Sequence, residues 1–205
     1  IANMATKVQW GLGMLGTKRR FFGNIVGHAE GVTDPTSLSS WTAEAFDEAL
    51  DWARIRVFRK MWDGPLIIKG IIDPRDALEA LNVGADAIID SNHGGGQLDG
   101  ALSSIRALPA IVEAVGDKIE VHLDSGIRSG QDVLKALALG AKGTYIGRSF
   151  VYGLGAMGEV GVTKALEIIR KELDISMAFC GRTDVKTLDR DVLMVPEGFT
   201  GRWES

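Results

Sequence analysis

From Pro65 onward the chain alternates short, unbroken apolar runs with longer segments whose apolar positions recur at helical spacing. Residues 65–70, Pro-Leu-Ile-Ile-Lys-Gly, predict a first strand. Asp73-Pro74 then supplies an N-cap and an N1 proline for a helix over 75–81. Residues 85–91 predict a second strand and 103–115 the helix after it. Residues 118–124 predict a third strand, followed by a helix over 130–139. Residues 143–147 predict a fourth, followed by a long helix over 158–173. Continuous apolar strands alternating with amphipathic helices imply an α/β fold with a parallel sheet covered by helices. Four βα units amount to half of a (β/α)8 TIM barrel, although the pattern alone also fits an open doubly wound sheet. The first 64 residues read differently. Helical segments over 2–15 and 42–61 flank a polar, glycine-containing connection over 27–40. The chain therefore reads as a helical segment, 1–64, followed by four βα units with C-terminal helices, 65–205.

Polar side chains recur where the apolar runs stop. Lys69 closes the first, Ser91 and His93 the second, Asp124 the third, and Gly147-Arg148 the fourth. A parallel sheet brings such strand ends onto one rim, where loops are free to vary while the strands set their origin. His93 opens the glycine-rich part of the stretch Ser91-Asn92-His93-Gly94-Gly95-Gly96-Gln97-Leu98-Asp99. The last two loops suit a phosphate. Gly126 and Gly130 let backbone N–H groups approach an anion ahead of a helix N-terminus, and Arg128 and Arg148 add forked donors.

Composition narrows the field. A net charge of −4 gives no global electrostatic support to a nucleic-acid partner. The single cysteine, Cys180, excludes an intramolecular disulfide and fits a reducing, cytoplasmic compartment. No apolar run is long enough to span a bilayer. The histidines His28 and His122 lack ligand spacing, so no metal is expected. The first residue is Ile1 rather than methionine, which reads as a fragment or a processed product. Two GxGxxG matches, at Gly11 to Gly16 and Gly153 to Gly158, do not follow strands and read as packing or turn glycines. Lys18-Arg19-Arg20-Phe21-Phe22 mixes basic and aromatic residues; it fits either a solvated turn or a segment lying on an anionic membrane surface.

Taken together, Ile67-Ile68-Lys69-Gly70, the stretch from Ser91 to Gly100, Asp124-Ser125-Gly126-Ile127-Arg128-Ser129-Gly130 and Ile146-Gly147-Arg148 resemble the FMN-dependent α-hydroxy-acid oxidase and dehydrogenase family. Phe22-Gly23-Asn24-Ile25-Val26-Gly27 and Leu38-Ser39-Ser40-Trp41 look most like its bacterial L-lactate dehydrogenase branch. The resemblance implies oxidation of an L-2-hydroxy acid to a 2-oxo acid with FMN as cofactor. It implies His93 as the general base, a role suited to imidazole near neutral pH. It places Lys69 and Ser91 beside the flavin, Asp124 along the ribityl chain, Arg128, Gly147 and Arg148 at the phosphate, and Ser125 and Gly126 among the cofactor-binding residues. Similar bacterial dehydrogenases are peripheral at the inner face of the cell membrane, which implies the membrane reading for Lys18 to Phe22.

Three departures from the family qualify this. Glycine stands at position 96, where the family has the arginine that clamps the substrate carboxylate. Loss of such a forked contact removes on the order of 2–5 kcal/mol of binding. Asp90 replaces an apolar residue, and if Ser91 and His93 face the rim it points into the helix layer, where an unpaired carboxylate is costly. The earlier strands that carry the rest of the flavin site are not in this sequence. An alternative expectation follows: a catalytically impaired half barrel that keeps only an FMN- or phosphate-binding rim. Its open sheet edges predict a homo-oligomer or a complementing N-terminal half.

Overall fold

The computed structural model describes residues 6–16, 22, 25, 28–32, 35–45 and 49–199. They form two compact units, divided between Asp51 and Trp52. The first carries helices α1, Val8–Gly16, and α2, Pro35–Ala45, with Val32 and Leu38 buried. The basic and aromatic stretch from Lys18 lies outside the described residues up to Phe22, whose side chain is exposed.

The second unit opens with helix α3, Trp52–Met61. The single helix expected over 42–61 is therefore two. Asp51, a residue type favoured immediately before a helix, stands ahead of the second. Helix α3 packs with the elements that follow: Arg56 pairs with Glu79, and Arg59 with Asp86, each at 3.2 Å.

Strands and helices then alternate: β1 Ile67–Ile71, α4 Pro74–Asn82, β2 Ala87–Asp90, α5 Ser104–Val115, β3 Glu120–Leu123, α6 Gly130–Ala138 and β4 Gly143–Thr144. All neighbouring strands are parallel, in the spatial order β1-β2-β3-β4. The expected elements are present with shorter strands, and Lys69 lies inside β1 rather than at its end. The register slips between Lys69 and Ile71, at Gly70, whose φ is +98°. Asp73 caps α4 by accepting from the Arg75 N–H at 2.8 Å, with Pro74 at N1. Ser129 and Asp132 form a reciprocal capping box on α6.

One face of the sheet carries Ile88, Val121 and Leu123, fully buried against Leu108, Ile111 and Val115 of α5. The other face carries Ile67, Lys69, Ile89 and His122, none of them fully buried. A parallel sheet is normally covered on both faces, so one covered and one open face is consistent with part of a TIM barrel.

Two helices follow β4, where only one is expected. Residues 148–157, a connecting loop on the sequence pattern, form α7, Arg148–Met157, which turns at Gly158 into α8, Glu159–Phe179. Two glycines make 148–157 a poor helix on propensity, each costing about 1 kcal/mol. Gly153 has a tertiary reason: its Cα face meets the backbone of Gly161 on α8, and neither position has room for a Cβ. Short 3-10 turns at Val185–Thr187 and Arg190–Val192 lead into a tail. Arg106 holds that tail by donating to the Gly198 carbonyl and lying over the Phe199 ring.

Candidate active site

The strand ends enclose a cleft of about 350 Å³. Lys69, His93, Gly96, Asp124, Ser125, Gly126, Arg128, Gly147 and Arg148 all line it. Ser91 lies just beneath, buried, and its hydroxyl accepts from the Lys69 ammonium and from the His93 N–H. Every residue that the sequence assigns to the base or the cofactor site thus meets in one place. A larger cavity of about 840 Å³ lies among α5, α6 and the tail. Its walls are mainly apolar, and it shares Arg128 and Arg148 with the cleft but neither Lys69, His93 nor Asp124. Lys69, His93 and Asp124 belong to the smaller space.

The Lys69 side chain reaches across β2 to Asp124, its Nζ 3.0 Å from Oδ2, and donates to Ser91 Oγ at 3.0 Å on the way. Burial raises the Asp124 pKa, but hydrogen bonds from Ser91, Ser125 and Lys69, with the lysine charge, outweigh it and hold the carboxyl below its usual value. Ser125 donates to Asp124 Oδ1 at 2.7 Å.

The turn after β2 is tightly wound. His93 and Ser125 are the non-glycine residues of positive φ among those described, at 54° and 72°. The His93 N–H donates to Ser91 Oγ at 3.1 Å, and the Gly94 N–H to Ser125 Oγ at 3.0 Å. Asn92 braces the turn from behind, accepting from the Gly95 N–H and donating to the Leu102 carbonyl. The His93 imidazole lines the cleft and has no hydrogen-bond partner among the described residues. Gly96 has an ordinary helical φ of −80°. A Cβ there would stand 3.3 Å from the His93 carbonyl oxygen, a close but adjustable approach.

The anion end differs from expectation in one respect. The Gly130 N–H does not face the cleft; it donates to Glu172 on α8 at 2.9 Å, and Gly130 packs against the α8 backbone. The Arg128 and Ser129 N–H groups are likewise taken, by Asp132. The helix N-terminus that does open on the cleft is that of α7, where Gly147 provides no side-chain cap and Gly147, Arg148 and Ser149 form the wall. The sequence pattern does not reveal it, because α7 itself carries the glycine signature of a loop. With the Arg128 and Arg148 guanidinium groups it brings forked donors and a positive helix end to one wall, the chemistry that suits an anion. Arg148 also donates to the Gly94 carbonyl at 2.9 Å, tying this end to the His93 turn. Tyr145 is a further wall residue without a sequence signal. It lines the cleft with its hydroxyl 3.5 Å from His122 Nδ1, while His122 Nε2 meets Glu120 at 2.9 Å.

Asp90 points into the helix layer, as its place in the strand alternation implies. It is fully buried, and neither carboxyl oxygen has a partner among the described residues. Burial, then the nearby Asp124 charge, push its pKa up to about 9. Among the described residues no cluster of His, Cys, Asp and Glu suits a metal, and no helix is long and apolar enough to cross a membrane.

Among known proteins, the family model described as FMN-dependent dehydrogenase matches residues 1–195. An L-lactate dehydrogenase of Caulobacter vibrioides is 47% identical over 187 residues, covering 90% of this chain and 48% of the relative. One from Pseudomonas syringae pv. syringae is 46% identical over 196 residues, covering 95% and 51%. The chain thus spans about half the length of the curated relatives it matches. Among solved structures, the monotopic membrane protein (S)-mandelate dehydrogenase superposes with a TM-score of 0.77 at 36% identity, over 81% of this chain and 44% of that one. A mutant flavocytochrome b2 with pyruvate bound gives 0.69 at 37% identity, over 77% and 42%.

Proposed function

The chain belongs to the FMN-dependent dehydrogenase family, and on that premise we propose that it supplies the base and much of the cofactor site for oxidising an L-2-hydroxy acid, with L-lactate first, to a 2-oxo acid. The four strands are then the C-terminal half of a (β/α)8 barrel, with the cleft on its C-terminal rim. One observation carries the reading: Lys69 from within β1, and His93, Asp124, Arg128 and Arg148 from the ends of the three strands that follow, line a single cleft.

The donor set fits FMN. Arg128, Arg148, Gly147 and the uncapped α7 N-terminus would hold its phosphate, Asp124, Ser125 and Gly126 its ribityl chain, and Lys69 with Ser91 its ring. When bound, FMN supplies the two-electron acceptor. The chain's own groups do the rest. The unpartnered His93 imidazole takes the substrate proton, and the Asp124 and Ser91 contacts keep the Lys69 ammonium fixed beside it.

Gly96 favours a second reading, a rim that binds cofactor but turns over poorly, because the wall beside His93 carries no charge at that position. The outer edges of β1 and β4 have no strand neighbour among the described residues, which supports pairing with a complementing half or a second copy. Contact with a membrane surface through Lys18 to Phe22 is supported by the monotopic relative.

Titration with FMN tests the main reading. The expected result is a flavin-coloured complex, bleached anaerobically by L-lactate, with Arg148→Ala weakening FMN binding about tenfold or more. A chain that takes up no FMN overturns it. Colour without bleaching favours the second reading. Gly96→Arg, made in the same protein, then raises affinity for the hydroxy acid if Gly96 is the cause.

A further inference from the structure

The hydroxyls of Ser91 and Ser125 lie 3.4 Å apart between the Lys69–Asp124 ion pair and the His93 turn. We propose that these two serines are positioning residues: they hold His93 and Gly94 in the left-handed conformation and tie that turn to the ion pair. The proposal rests on the reading of His93 as the base.

A left-handed conformation at a residue with a Cβ costs roughly 1–2 kcal/mol and persists only where the surroundings over-determine it. His93 and Ser125 both adopt it, and they meet through the same two hydroxyls. Counting donors and acceptors shows how. A serine hydroxyl offers one hydrogen and two lone pairs. Ser91 Oγ accepts from Lys69 Nζ and from the His93 N–H, which fills both lone pairs and leaves its hydrogen to give. Ser125 Oγ gives its hydrogen to Asp124 Oδ1 and accepts from the Gly94 N–H, leaving one lone pair. That lone pair faces the Ser91 hydroxyl. The Ser91 hydrogen turns to that lone pair or to the Asp124 carboxylate, and on either course the bonds run from the lysine cation through the hydroxyls to the aspartate anion.

Charge at both ends polarises such a chain. Donation to the Asp124 carboxylate makes Ser125 Oγ a better acceptor for the Gly94 N–H. The ion pair thereby strengthens the bond that keeps the His93 turn wound. Arg148, donating to the Gly94 carbonyl, grips the next peptide.

Two variants separate the hydroxyl from backbone strain. Ser125→Gly removes the hydroxyl while suiting the left-handed backbone, so it folds without strain; Ser91→Ala removes the other. In the full chain, amide hydrogen exchange is read at His93 and Gly94 with the β2 amides as reference. Ser125→Gly is expected to speed exchange at Gly94, and Ser91→Ala at His93, each by about tenfold with β2 unchanged. In the protein saturated with FMN and oxidising L-lactate, both lower kcat by about tenfold with KM within about twofold. Ser91→Thr, which keeps a hydroxyl, restores kcat. Unchanged exchange at both amides overturns the proposal, as does a loss confined to KM. If the unsubstituted protein does not oxidise L-lactate, that failure belongs to the functional reading, and the exchange result alone decides the role of the serines.

Discussion

Asp124 and Asp90 stand one strand apart, and the Asp124 N–H donates to the Asp90 carbonyl at 3.0 Å. Their side chains nevertheless face opposite layers. Asp124 opens on the cleft, where Lys69 and two hydroxyls favour its charged form and keep its pKa below the usual value despite burial. Asp90 lies between its register neighbours Ile71 and Leu123, with no donor in reach among the described residues, and its pKa rises to about 9. The alternation of a strand has sorted two identical side chains into a charged group that can serve a site and a neutral one that only costs stability.

The largest expected effect comes from removing that cost. Asp90 titrates near 3.8 in the unfolded chain but only near 9 when folded. The unfolded state therefore releases its proton first as pH rises, and stability falls by about 1.4 kcal/mol per pH unit between those values. At pH 7 the accumulated penalty is on the order of 4 kcal/mol, with the full stability regained below the unfolded pKa. Asp90→Val is expected to stabilise the chain at pH 7 by an amount of this order and to flatten the pH slope. Asp90→Asn flattens the slope while leaving an unpaired amide. Urea unfolding from about pH 4 to pH 9 reads both. A slope that survives in either variant breaks the comparison.

Lys69→Met attacks the other carboxylate. The pair is partly exposed, with Lys69 at 44%, so solvent screening limits the loss to about 1 kcal/mol at pH 7. The pH dependence is of opposite sense. A depressed folded pKa contributes stability above the unfolded value of 3.8 and loses it as pH falls through the folded value. Removing Lys69 should therefore lower stability at neutral pH and flatten the acid limb. Melting temperatures followed from about pH 7 to about pH 2 would show the variant and parent converging at low pH. Parallel curves would mean that Asp124 owes little to the lysine.

The same contrast explains which features the residue pattern makes legible. Pro65 to Gly70, Ala85 to Ser91 and Lys118 to Asp124 announce strands because apolar runs of that length between turn residues have few alternatives. The polar residue ending each run falls on one rim because parallel strands share a direction. Asp90 is readable too, since a strand's alternation sets its face once Ser91 and His93 are placed. Helix α7 is not, because its glycines argue against a helix unless the approach to Gly161 on α8 is known. The diversion of the Gly130 N–H to Glu172, 42 residues away, has no local signal. The direction of the hydrogen bonds through Ser91 and Ser125 depends on side chains from three strands meeting, which no spacing along the chain encodes.

The smallest effect joins the two carboxylates. Burial is the main reason that Asp90 stays neutral, and the Asp124 charge adds to it. Asp124→Asn removes that charge and leaves the burial in place. The Asp90 titration, followed through its side-chain carboxyl carbon resonance, should then move down while remaining well above the usual carboxylate value. A return to the ordinary value would mean that repulsion, not desolvation, holds the proton, and that water reaches Asp90. No movement at all would mean that β2 screens the two side chains from each other. A partial shift is the outcome that two groups on opposite faces require, because the field of Asp124 passes through the sheet while its hydrogen-bond donors do not.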